Sequence, residues 1–87
     1  SLPSLDAIIL NPTTAPVSDD PAVNYALAGA LGRRMNDNTL GNIFQYLERI
    51  APEIGIVSIQ DAIRRDASLM QTRAFITWAT KNQNVIL

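Results

Sequence analysis

Leu40, Ile43, Phe44, Leu47, Ile50 and Ala51 recur at offsets 0, 3, 4, 7, 10 and 11. That spacing places six apolar side chains along one face of an α-helix and does not suit the period of a strand. Asn42, Gln45, Glu48 and Arg49 fall mostly on the wet side, with Tyr46 at the edge of the stripe. Such a stripe must be buried against other elements, and 87 residues supply one domain to do it. Surface scaling at this length gives roughly 14,000 Å² for the unfolded chain and about 5,000 Å² folded, enough burial for a modest core. With 47% hydrophobic and 17% charged residues, the composition argues against disorder.

Punctuation around the stripe divides the chain. Ser4 can cap a short helix that carries Leu5, Ile8 and Ile9 on one side. The run NPTTAPVSDDP, residues 11–21, holds three of the five prolines, and each removes a backbone donor and restricts the residue before it. It therefore predicts an extended linker, with residues 1–10 docking onto a neighbouring body. Asp20 followed by Pro21 is a helix start, and PAVNYALAGALGRRM continues it with Val23, Leu27, Ala30, Leu31 and Met35 at near-helical spacing. Ala26, Ala28, Gly29, Ala30 and Gly32 make that helix narrow, which suits close packing of another helix. A nucleotide or partner over Gly29 and Gly32 is the competing reading. Asn36-Asp37-Asn38 is a turn cluster ahead of the stripe.

Pro52 closes the stripe helix and can open the next. In PEIGIVSIQDAIRRD, Ile54, Ile56 and Val57 would suit a strand and Gly55 weakens a helix. Ile56, Ile59, Ala62 and Ile63 nevertheless continue a helical face, and Asp61 can pair with Arg64 or Arg65, so a helix over 53–65 is expected. Leu69 and Met70 are expected to plug an apolar gap in a short turn. The last helix sets Phe75, Trp78 and Ala79 on one face and ends at Asn82. The resulting expectation is an all-α fold, a small bundle of four main helices near 21–35, 39–51, 53–65 and 72–81. Residues 1–20 form a short helix and proline-rich linker, and residues 21–87 the bundle.

The chemistry on offer is narrow. There is no cysteine and no histidine, so disulfides, thiolate zinc sites and the commonest general base are all excluded. Asp19 and Asp20 precede a proline-initiated helix and read as cap residues; Asp61 and Asp66 sit beside arginines and read as ion-pair partners. No carboxylate spacing argues for a metal, no GxxxxGK[ST] run is present, and GALGRR lies within a helix rather than after a strand. Neither a catalytic residue nor a bound cofactor is expected, and the chain is read as no enzyme by itself. The longest apolar run is four residues, far short of the ~20 that span a bilayer, and the N-terminus has no signal-peptide pattern. The first residue is Ser1 rather than Met, which suggests a piece of something longer.

Six of the seven basic residues are arginine, and four form the pairs Arg33-Arg34 and Arg64-Arg65. Guanidinium favours planar, two-pronged contacts with carboxylate or phosphate, so these four are the candidate partner-binding residues. The plain structural reading is that each pair serves a helix C-terminus, where cations are favoured anyway. A net charge of −1 makes a strongly basic nucleic-acid binder a weak expectation.

Three segments carry a resemblance: NYALAGALGRR at 24–34, NIFQYLERIAPEIGIVSIQDAIRRD at 42–66 and TRAFITWATKNQNVIL at 72–87. Together they resemble the C-terminal helical region of phage- and prophage-encoded AAA+ ATPases of the MoxR-like group. There, a helix with a YL-R-P-E run leads into a DA-RRD helix and then an AF-W-A helix. The resemblance contains no catalytic motif; the family's Walker motifs match no residue here, so no ATP-binding residue is carried over. It implies a non-catalytic accessory domain downstream of an ATPase core, acting in oligomeric assembly or partner coupling in the cytoplasm of a bacterial host. Its partners would be a protein or neighbouring subunits. The alternative is an independent helical adaptor or nucleic-acid-associated module that uses exposed arginine pairs.

Overall fold

The computed structural model describes residues 2–50 and 52–82. Five α-helices follow in order: α1 Leu5–Leu10, α2 Pro21–Gly32, α3 Leu40–Arg49, α4 Pro52–Arg65 and α5 Arg73–Lys81, with a 3₁₀ turn at Ala67–Gln71 before α5. No strand occurs among the described residues. The expected all-helical architecture is therefore the observed one. The starts of α1, α2 and α5 are capped by side chains, whereas Thr39 ahead of α3 makes no such bond. Ser4 accepts from the Ala7 N–H at 3.2 Å, Asp20 from Ala22 at 3.0 Å and Thr72 from Phe75 at 3.2 Å.

The stripe of α3 is the centre of the molecule. Leu40, Ile43, Phe44 and Leu47 are buried, and Ile50 closes the face just beyond the helix. Ala51, the last member of the expected stripe, lies outside the described residues. Phe44 and Phe75 both meet Trp78, with ring centroids 5.4 and 5.9 Å apart, so α5 packs through the aromatic face its spacing predicts. From α4 come Ile59 and Ala62, and from the 3₁₀ turn Leu69. Met70 does not plug the gap alongside Leu69; it is nearly half exposed, because the turn can aim only one of two consecutive side chains inward.

Two glycines explain the weak spots in the helical pattern. A Cβ on Gly32 would lie 3.2 Å from the Cβ of Ser58, and one on Gly55 would lie 3.0 Å from the Cβ of Leu47. The first is the crossing of α2 and α4, the second that of α3 and α4. Gly55 thus weakens the helical pattern in the sequence while serving the approach of two helices. The α2 helix ends at Gly32, earlier than the expected 35. Arg34 donates to Leu31 at 2.9 Å and Met35 to Gly32 at 3.3 Å, a tightened final turn that rotates Met35 into the core.

The largest departure concerns residues 11–21. The expected extended linker is in its first half a turn seated on α3. Thr14 and Ala15 donate back to the carbonyl of Asn11 at 3.3 and 3.0 Å, and Pro12 and Ala15 are buried. Ile8 of α1 is fully buried in the same core as the bundle helices. Tyr46, expected at the stripe's edge, is 0% exposed because this segment lies over it.

Candidate functional site

The four arginines singled out by sequence come together at one corner. At the α2–α4 crossing, Arg65 donates to the carbonyl of Gly32, which the tightened end of α2 otherwise pairs only with the Met35 N–H at 3.3 Å. Arg33 occupies the C-cap of α2 and Arg34 follows it, so both pairs lie around one helix end. Their roles differ. Arg65 serves the helix terminus, as the plain structural reading expects. Arg34 reaches across to Asp6 at 2.5 Å and ties α1 to this corner, with side chains 45% and 82% exposed. Arg64 pairs with Asp61 on its own helix, both also largely in solvent. Exposed pairs of this kind contribute ~0–1 kcal/mol each, so they restrain the guanidinium groups weakly. Arg33 is exposed, and its side chain makes no hydrogen bond or ion pair among the described residues.

A second polar arrangement was not legible as a site. Asn42, Tyr46 and Arg49 stand at i, i+4 and i+7 on α3, beside the apolar stripe. All three donate to main-chain carbonyls of the N-terminal segment. Asn42 Nδ2 donates to Ile9 at 2.6 Å, and Arg49 Nη1 donates to Pro12 at 2.7 Å and Ala15 at 2.6 Å. The Tyr46 hydroxyl donates to Pro16. Arg49 also lies over the Tyr46 ring, 5.6 Å from its centroid. Burial raises the Tyr46 phenol above its ordinary range, and the Arg49 charge partly offsets that. The available signal was a helical row of long donors close in sequence to a proline-rich stretch whose carbonyls have no regular ladder to join. Arg49 stays exposed, as its place on the wet side predicts, and still reaches these carbonyls.

The two hollows beside Trp78 are small. One of about 230 Å³ opens between α3, α4 and α5, floored by Leu47, Gly55, Ile59 and Trp78 with Glu48 and Lys81 beside them. Another of about 220 Å³ lies across Trp78 between α3 and α5 and shares Glu48 and Lys81. Both fall below the ~300–1,000 Å³ of usual small-molecule sites. A roomier hollow of about 480 Å³ near the 3₁₀ turn mixes Asp37 and Asp66 with Arg73. Among the described residues no group of three or more Asp or Glu side chains is arranged to hold a metal ion, and no helix is long and apolar enough to cross a membrane.

Compared with known proteins, the chain matches no family model, no curated protein and no solved structure. What the fold and this geometry define is a small helical domain with a guanidinium-bearing corner and a clamped N-terminal segment.

Proposed function

We propose that this chain is a non-catalytic helical interaction domain, the accessory module of a phage-type AAA+ ATPase, acting in assembly or partner coupling in a bacterial cytoplasm. The observation that best supports it is the arginine corner. The Arg33 side chain is exposed with no partner among the described residues, and the guanidinium groups of Arg34 and Arg64 are held only by solvent-exposed pairs. Guanidinium forks so weakly engaged can turn to a carboxylate or phosphate on a neighbouring subunit at little cost. Arg65 stays with α2, so the contacts fall to Arg33, Arg34 and Arg64.

The test has two parts. The gene is read for a Walker A motif upstream, and the longer chain is then produced with Arg33 and Arg64 both changed to glutamine. Weakened assembly or partner capture, with an unchanged melting temperature, is the expected result. Unchanged assembly, partner binding and ATP turnover would leave these arginines a purely structural role. Salt-sensitive binding of a nucleic-acid duplex by the isolated chain, lost in the same variant, would move the function to the nucleic-acid-associated reading.

A further inference from the structure

The hollow between α3, α4 and α5 has an apolar floor of Leu47, Gly55, Ile59 and Trp78, and its charged lining residues are the exposed Glu48 and Lys81. Asn82, the C-cap of α5, lines the same hollow. It is a fixed point. Its N–H donates to the carbonyls of Trp78 and Ala79 at 3.1 and 3.2 Å, and its Nδ2 donates to the Trp78 carbonyl at 2.8 Å. Its φ of −123° and ψ of 35° lie outside the helical range, so the chain leaves the α5 axis beside Trp78. Five residues follow in the sequence, 83–87, and the last three are Val85, Ile86 and Leu87.

We propose that this hollow is the docking site of residues 85–87 of the same chain, which complete the apolar packing between α3, α4 and α5. Reach allows it. A chain extends by at most about 3.3–3.6 Å per residue, so Val85 can lie up to about 10 Å and Leu87 up to about 17 Å from Asn82. Packed helices stand roughly 8–10 Å apart, so that reach spans a hollow between them. Size selects the occupant. At about 230 Å³ the hollow is smaller than a usual small-molecule site, and a separate peptide would lose its translational freedom to fill it. A segment tethered at the rim forgoes that loss and is present at an effective concentration of millimolar order. The order of residues also matches the order of the site: the amides of Gln83 and Asn84 pass the charged rim before three apolar side chains meet the floor. This inference does not rest on the arginine corner.

The experiment uses the full 87-residue chain with isotope-labelled methyl groups. Nuclear Overhauser cross-peaks are expected from the methyls of Val85 or Leu87 to Leu47, Ile59 or the Trp78 ring, unchanged on dilution. In an equal mixture of labelled and unlabelled chains, isotope filtering separates contacts within a chain from contacts between chains. Absence of these cross-peaks would overturn the proposal, and so would cross-peaks found only between chains, which give the hollow to another copy. A variant with Val85, Ile86 and Leu87 all changed to serine should shift the Leu47 and Ile59 methyl resonances and leave those of Ile8 in place. A folded variant with Leu47 and Ile59 unshifted would likewise overturn it. Should that variant fail to fold, the cross-peaks of the unaltered chain decide alone.

Discussion

A Cβ added to Gly55 would meet the Cβ of Leu47 at 3.0 Å, and that atom cannot swing away without its backbone. A Cβ on Gly29 finds nothing nearer than the Arg33 guanidinium at 3.9 Å, the movable end of a flexible side chain. Opposite outcomes follow. Gly29→Ala should stabilise by up to about 1 kcal/mol through helix propensity. Gly55→Ala should lose that gain and more, a net cost of about 1–2 kcal/mol from forced separation of α3 and α4. Denaturant midpoints of the two variants check both signs. At the same scale, Leu47→Ala should cost about 2–5 kcal/mol, since Leu47 is 2% exposed and packs at that crossing. Tyr46 adds a pH dependence. Its neutral phenol donates to Pro16, and burial holds its folded pKa above the unfolded value. That contribution is complete below pH ~10 and is lost as pH rises through the higher folded value. Tyr46→Phe should therefore cost about 0.5–1.5 kcal/mol at neutral pH. The gap between wild type and variant should narrow in melts taken at progressively more alkaline pH.

Helix starts and faces were the legible part of the fold, because local chemistry decides them. Asp20 before Pro21 and the 3, 4, 7 spacing of α3 need no tertiary knowledge. Asp20→Ala should accordingly cost about 0.5–2 kcal/mol and leave the fold intact, visible as an earlier thermal transition with an unchanged helical circular dichroism spectrum. Elements decided by a distant neighbour were not legible. Gly55 weakens a helical pattern, and only the approach of Leu47 gives it a reason. Proline content made residues 11–21 read as a linker, since the sequence shows the missing donors but not the long donors of α3 that receive the remaining carbonyls. The candidate site divides in the same way. The arginine pairs were visible as charge, while the division of labour among them depends on where Asp6, Asp61 and Gly32 lie.

For the whole molecule, the consequence is that residues 2–16 belong to the folded unit. The accessible surface of 5318 Å² lies close to the scaling expectation for one compact domain of this mass, with Ile8 at 0% exposure inside the shared core. An arm so placed can be removed only at a cost to the entire fold, whereas a tether would leave stability untouched. The most direct measurement is a nuclear Overhauser spectrum of the full chain, read at the Tyr46 ring and the Ile8 methyls. The account predicts cross-peaks from the Tyr46 ring to Pro16, and from Ile8 to side chains of the bundle core. Intact helices without those cross-peaks, and with sharp, mobile resonances for residues 5–16, would contradict it.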